Sequence, residues 1–125
     1  MRLYLIITTL LLSVNMNAQE EKFFAAMESS DITKIIDLMD SRVELCINDS
    51  QELYTKREAI RRIQAWLGEV KPKSLTPLHG GESLNNKSHY KVGKLTTASG
   101  IFRVFVYIED ISNNPRIKKI QIDNF

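Results

Sequence analysis

Residues 101–109 alternate so regularly that they admit one local conformation. Phe102, Val104, Val106 and Ile108 fall on one face, and Ile101, Arg103, Phe105, Tyr107 and Glu109 on the other. A period of two is that of an extended strand. The first set is wholly apolar and predicts a face turned to a core. The second mixes one cation and one carboxylate with two aromatics and an isoleucine, which is more apolar than contact with water alone requires. Everything after Pro72 reads in the same way, as strand and turn. Residues 75–79 are a short strand whose Pro77 cannot donate to a ladder, a mark of an edge or a bulge. Gly80-Gly81 and Asn85-Asn86 bracket a flexible connection. Residues 89–97 form the next strand, with Val92 and Leu95 out of phase and a bulge expected at Gly93 between them. Ala98-Ser99-Gly100 is a hairpin turn, and Asn113-Asn114-Pro115 leads into a last strand where Ile120 and Ile122 share a face.

Before Pro72 the periodicity is mostly helical. Phe23, Phe24 and Met27, then Ile32, Ile35, Ile36 and Met39, recur at three- and four-residue spacing, predicting two short helices or one kinked helix. The break is Ser29-Ser30-Asp31, where Ser30 or Asp31 can cap a new first turn. Val43, Leu45 and Ile47 alternate with polar neighbours as a half-buried strand. Asn48-Asp49-Ser50-Gln51 turns the chain, and Leu53-Tyr54 returns it. Thr55 with Glu58 three residues on is a capping box, so a helix starts there. Its buried stripe is Ala59, Ile60, Ile63, Trp66 and Leu67, and Gly68 is placed to end it. Lys56, Arg57, Arg61 and Arg62 lie opposite, as a solvated helix face. The expected order is ααββαββββ, an α+β class with N-terminal helices packed on a mainly antiparallel sheet.

Residues 1–18 have a basic start at Arg2, an apolar run from Leu3 to Leu12 and a small residue at Ala18, the pattern of a cleavable secretory signal peptide. The apolar run is about half the roughly twenty residues that a membrane-spanning helix needs. The expectation is an exported protein, periplasmic or secreted and soluble after cleavage, with residues 19–125 as one domain. The formal net charge is +2, of which Arg2 supplies one unit, so neither nucleic acid nor an anionic membrane is indicated as a partner. Cys46 is the single cysteine, which excludes an internal disulfide and reads as a buried or strand-face residue.

The pieces Ser29-Ser30-Asp31, Val43-Glu44-Leu45, Tyr54-Thr55-Lys56, His79-Gly80, Tyr90-Lys91-Val92-Gly93 and Gly100-Ile101-Phe102-Arg103-Val104 carry a resemblance. With the order of elements, they resemble a family of small exported bacterial proteins of unknown function. That family has the cystatin-like cone fold of the nuclear transport factor two and ketosteroid isomerase superfamily. The resemblance spans roughly residues 20–123. It implies a curved sheet wrapped around the helices, a pocket at the open end and dimerisation across the outer sheet face. It implies no reaction, because this fold hosts enzymes, binders and assembly modules alike.

Chemistry is thinly written in the sequence. An enolate-forming enzyme needs a carboxylate base and acidic donors in its pocket. The acids here, such as Asp49, Glu52, Glu82, Glu109 and Asp123, are expected in turns, on helix surfaces or at strand ends, and none on the apolar inner face. His79 and His89 lack the spacing of a metal site, and no cofactor motif is present. Tyr54, Trp66, His79 and Tyr90 are the candidates to line the cone mouth; Ile101, Arg103, Phe105 and Tyr107 are the candidates for a homodimer face. The favoured reading is a non-catalytic binding or assembly module holding a small apolar ligand or a peptide. The alternative is a small isomerase- or hydrolase-type enzyme that uses His79 with a strand-end carboxylate. Intact-mass measurement of the protein recovered from cell envelope or medium is expected to show loss of about eighteen residues. A full-length, membrane-retained species would overturn the leader.

Overall fold

The computed structural model describes residues 17–85 and 87–125. The expected leader therefore lies, for residues 1–16, outside the described residues. Helix α1 (Asn17–Ser29) and helix α2 (Ile32–Leu38) are two helices, not one with a kink. Ser30 takes φ 56° and Asp31 caps α2 by accepting from the Lys34 N–H at 3.3 Å. Strand β1 (Met39–Ile47) starts directly at Met39, which the helical spacing had assigned to α2. Met39 is fully buried, so the apolar position is kept while the backbone changes from helical to extended. Asn48 and Asp49, both at positive φ, make a tight turn into β2 (Ser50–Thr55).

Helix α3 (Lys56–Val70) begins at the predicted cap, with Thr55 Oγ1 accepting from the Glu58 N–H at 3.3 Å. It does not stop at Gly68. Val70 continues the buried stripe of Ile63 and Leu67, and the left-handed terminating residue is Lys71, whose N–H bonds the Leu67 carbonyl at 2.9 Å. Burial of one more apolar side chain thus overrides the glycine, and Pro72 then prevents continuation.

The remaining chain is four strands: β3 (Pro72–Glu82), β4 (Ser88–Thr97), β5 (Gly100–Ile111) and β6 (Asn114–Asn124). All six strands form one sheet in the order β2-β1-β6-β5-β4-β3, antiparallel except where β1 and β6 run parallel. Pro77 lies on the edge strand β3, and the register shifts between Pro77 and His79, as its missing N–H demands. Two expectations fail along this edge. Gly80-Gly81 is strand, paired with Lys91 and Tyr90, and the ring of Tyr90 lies where a side chain on residue 81 would go. The bulge expected at Gly93 falls on its partner strand instead: β3 holds the extra residue between Pro77, opposite Gly93, and His79, opposite Val92, while β4 pairs with β5 without a shift from Ser88 to Thr97. Val92 and Leu95 are out of phase because they face opposite sides of the sheet.

The helices cover one face. Phe23, Phe24, Met27, Ile35, Ile63 and Leu67 pack on Val43, Leu45, Leu95, Phe102, Val104, Val106, Ile108, Ile120 and Ile122 in one core. Gly93 matters here for a different reason from the one expected. A Cβ on it would stand 2.6 Å from Cε2 of Phe24 and 2.9 Å from Cδ1 of Leu75, so the glycine is what lets α1 lie this close to the sheet. On α1's last turn the Glu28 carboxylate accepts from the Leu75 N–H at 2.9 Å, tying the helix to the edge strand. Where β1 begins, Lys118 Nζ donates to Asp40 at 2.7 Å and holds that carboxyl below its ordinary range.

Phe102, Val104, Val106 and Ile108 are the core face of β5, as the alternation predicts, and Val104 is completely buried. Truncating Val104 to Ala is expected to cost on the order of 1–3 kcal/mol in a denaturant melt, from lost burial and a residual cavity. A change below about 0.5 kcal/mol would mean the site collapses or the strand is turned over.

Candidate functional site

Tyr54 and Trp66, two of the four mouth candidates, line one cleft. It holds 270 Å³ between α3 and the β1–β2 hairpin and is bounded by Leu45, Ile47, Ser50, Tyr54, Arg62, Ala65, Trp66 and Glu69. Local structure puts each wall in place. Trp66 is on the buried stripe of α3 and meets the edge of Phe102 at a centroid distance of 5.0 Å, which fixes its ring. Tyr54 is the inward residue of β2, opposite Val43, and its hydroxyl donates to Glu52 at 3.3 Å. Burial keeps the Tyr54 phenol above its ordinary value, so it stays a neutral donor. Arg62, four residues before Trp66, reaches over Tyr54 with its guanidinium carbon 4.7 Å from the ring centroid. Its Nε also donates to Glu58 at 3.1 Å, and Glu58 takes Arg61 as well at 3.3 Å. An aromatic-walled hollow results, edged by the Arg62 cation, already paired with Glu58, and by the Glu69 carboxylate, so the cationic face of α3 is more than a solvated helix surface at this one residue.

His79 and Tyr90 lie elsewhere. Both belong to the outer face of the sheet, where Tyr90 stacks on Phe105 at 5.7 Å and takes the edge of His79 at 5.9 Å. The four candidates therefore form two groups separated by the sheet. The reason is register: His79 pairs with Val92 and Gly81 with Tyr90, positions whose side chains point away from the helices. His79 is exposed and makes no ion pair among the described residues. The dimer-face candidates share this outer side. Ile101 and Arg103 are exposed and Phe105 and Tyr107 half-buried, with Phe125 stacked over Arg103 at 5.0 Å and near Lys94 at 5.5 Å. Cys46 is buried on β1, paired with Gln51 and Gln121.

A third cluster escaped the sequence reading, which placed no carboxylate on the inner face. Glu20, on the first turns of α1, is only 2% exposed. Its Oε1 lies 3.6 Å from Nδ1 of His89, itself 7% exposed, and has no hydrogen-bond partner among the described residues. His89 Nε2 is 3.9 Å from the half-exposed Glu82. Burial drives the Glu20 carboxyl up from 4.5 to about 7, against the opposing pull of Lys91. The signals were present but ordinary. Glu20 is in phase with Phe23, Phe24 and Met27, and His89 and Lys91 are in phase with inward Gly93 and Leu95. No group of three metal-ligating side chains occurs among the described residues.

The architecture and the sequence agree with one family. The profile of a domain of unknown function, DUF4783, matches residues 21–123. This chain belongs to that family. Among solved structures, the DUF4783 protein of Bacteroides uniformis is 26% identical with a TM-score of 0.79, covering 84% of this chain and 95% of its own. The DUF4783 protein of Bacteroides ovatus is 22% identical with a TM-score of 0.78, covering 83% and 93%. An NTF2-like protein of Cytophaga hutchinsonii is 14% identical with a TM-score of 0.66, covering 88% and 95%, a likeness of fold alone. A search among curated proteins finds no match. The cone fold expected from the sequence is thereby established for this DUF4783 chain, and no activity comes with it.

Proposed function

We propose that this DUF4783 chain is an exported, non-catalytic binding module whose ligand seat is the cleft between α3 and the β1–β2 hairpin. The observation that carries the reading is the pairing of two aromatic walls, Tyr54 and Trp66, with the Arg62 guanidinium at the rim of a 270 Å³ hollow. Such a site suits a small amphipathic molecule, its apolar body against the rings and an anionic end at Arg62. The volume is at the low end for ligand pockets, which favours a short acyl chain or a single ring over a steroid-sized body. Export rests on the leader pattern of residues 1–18; no helix among the described residues is long and apolar enough to cross a membrane.

A catalytic reading has less support. The alternative paired His79 with a strand-end carboxylate, and His79 stands on the outer face with Tyr90 and Phe105, away from the cleft. A second reading, self-association, has its own observation: Ile101 is 43% exposed beside the half-buried aromatics Phe105 and Tyr107. We take this outer face as a contact between two copies, with Arg103 able to meet a carboxylate across it.

Trp66 is the sole tryptophan, so its emission reports on the cleft. Octanoate is expected to shift that emission saturably, Ala65→Phe to abolish the response by filling the hollow, and Arg62→Ala to weaken octanoate about tenfold while leaving octanol unchanged. Absence of any saturable response to either probe sinks the ligand reading. For the outer face, sedimentation velocity should find a dimer that Phe105→Glu converts to a folded monomer, since a buried unpaired carboxylate opposes association. A concentration-independent monomer of the unaltered chain would count against it.

A further inference from the structure

The two ends of the cleft carry opposite charges. Arg62 and Glu69 are seven residues apart on α3, which sets both on one side of the helix, two turns or about 10 Å apart along its axis. Both are exposed, whereas Tyr54 and Trp66, the walls of the hollow, are buried. Charge remains available at each end. Glu58 is shared by Arg61 and Arg62, so these three side chains keep one positive charge among them. Glu69 enters no ion pair among the described residues.

We propose, resting on the cleft as the ligand seat, that it takes a short peptide with free ends. The C-terminal carboxylate meets Arg62, the N-terminal ammonium meets Glu69, and one apolar side chain of leucine or phenylalanine size enters the hollow between them. Three extended residues span about 10 Å, the separation of the two charges. Glu52, the other acid near the rings, accepts from the Tyr54 hydroxyl at 3.3 Å, which leaves Glu69 as the acid at the far end.

Strand β2 is what selects a peptide over another molecule with the same two charges. From the cap at Thr55, α3 turns back along β2, so that Arg62 lies over the Tyr54 ring and Glu69 shares the cleft with Ser50 at the other end of the strand. The ligand therefore lies lengthwise between helix and strand. β2 is an outermost strand, and the backbone groups on its free side have no partner within the sheet. Its six residues pair with β1 without a shift, whereas β3, the other outermost strand, is interrupted at Pro77. A regular, proline-free edge beside a side-chain hollow is the arrangement that receives an added peptide strand. An aliphatic amino acid satisfies the charges but has no amides to offer that edge.

Trp66 emission in the purified protein tests this with alanyl-leucyl-alanine, its N-acetyl and C-amide forms, and ω-aminooctanoate. The free tripeptide is expected to shift the emission saturably, and blocking either end to weaken it about fivefold, the scale of one solvent-facing ion pair. Glu69→Gln should remove the penalty of acetylation and keep that of amidation, and Arg62→Ala should do the reverse. Hydrogen exchange of the β2 amides should slow with the tripeptide and not with ω-aminooctanoate. Equal binding of free and acetylated peptide, an acetylation penalty that survives in Glu69→Gln, or ω-aminooctanoate binding as tightly as the tripeptide would each overturn the peptide. The blocked peptides act on the unaltered chain, so the result does not depend on either variant folding. Silence with the tripeptide while octanoate still responds overturns the peptide alone, and silence with both sinks the seat itself.

Discussion

The close seat of Phe24 on Gly93 is the contact on which the rest of the arrangement depends. A glycine at the centre of β4 lets the α1 backbone come within ring-contact distance of the sheet, where any Cβ would stand 2.6 Å from Phe24 Cε2. Once α1 is set at that height, Phe23 and Met27 enter the core, Glu28 reaches the Leu75 N–H, and Glu20 arrives at His89. A side chain at residue 93 would lift the helix. The cost would spread beyond one cavity, because every later contact along α1 is aimed from this pivot.

The sheet separates two kinds of surface. Its inner face is closed over by helices along most of its length, and one hollow lies beside α3, where Tyr54, Trp66 and Arg62 meet. Its outer face carries polar ladders, such as Lys119 with Glu44 at 3.8 Å, interrupted by the Tyr90–Phe105 stack. The two sides are therefore chemically independent. A change that fills the cleft leaves the outer aromatics untouched, and a charge placed at Phe105 leaves the cleft untouched. That separation follows from the period of two in β4 and β5, which sends neighbouring residues to opposite sides.

Much of the fold was legible because it is written in local periods. The capping box at Thr55, the break at Ser30-Asp31 and the two faces of β5 are each decided by residues within a few positions of one another. Where the local reading went astray, a longer-range gain had won. Val70 extends α3 past Gly68 by burying one more side chain, and Gly80-Gly81 joins the ladder because Tyr90 covers it. The site was less legible for the same reason. Tyr54 and Trp66 are legible from their apolar positions, but nothing local tells which side of the sheet His79 and Tyr90 take, and register sends those two to the other face.

Taken alone, the amino-acid sequence determined the order of the elements, the inward face of β5, the cap of α3 and the leader-like composition of residues 1–18. Tertiary structure alone decided which polar groups lose their water. Glu20 and His89 are unremarkable in sequence, one in a helix with other charges and one at the start of a strand. They meet because α1 docks across β4, and a charge's free energy depends on what surrounds it in space, not on its neighbours along the chain.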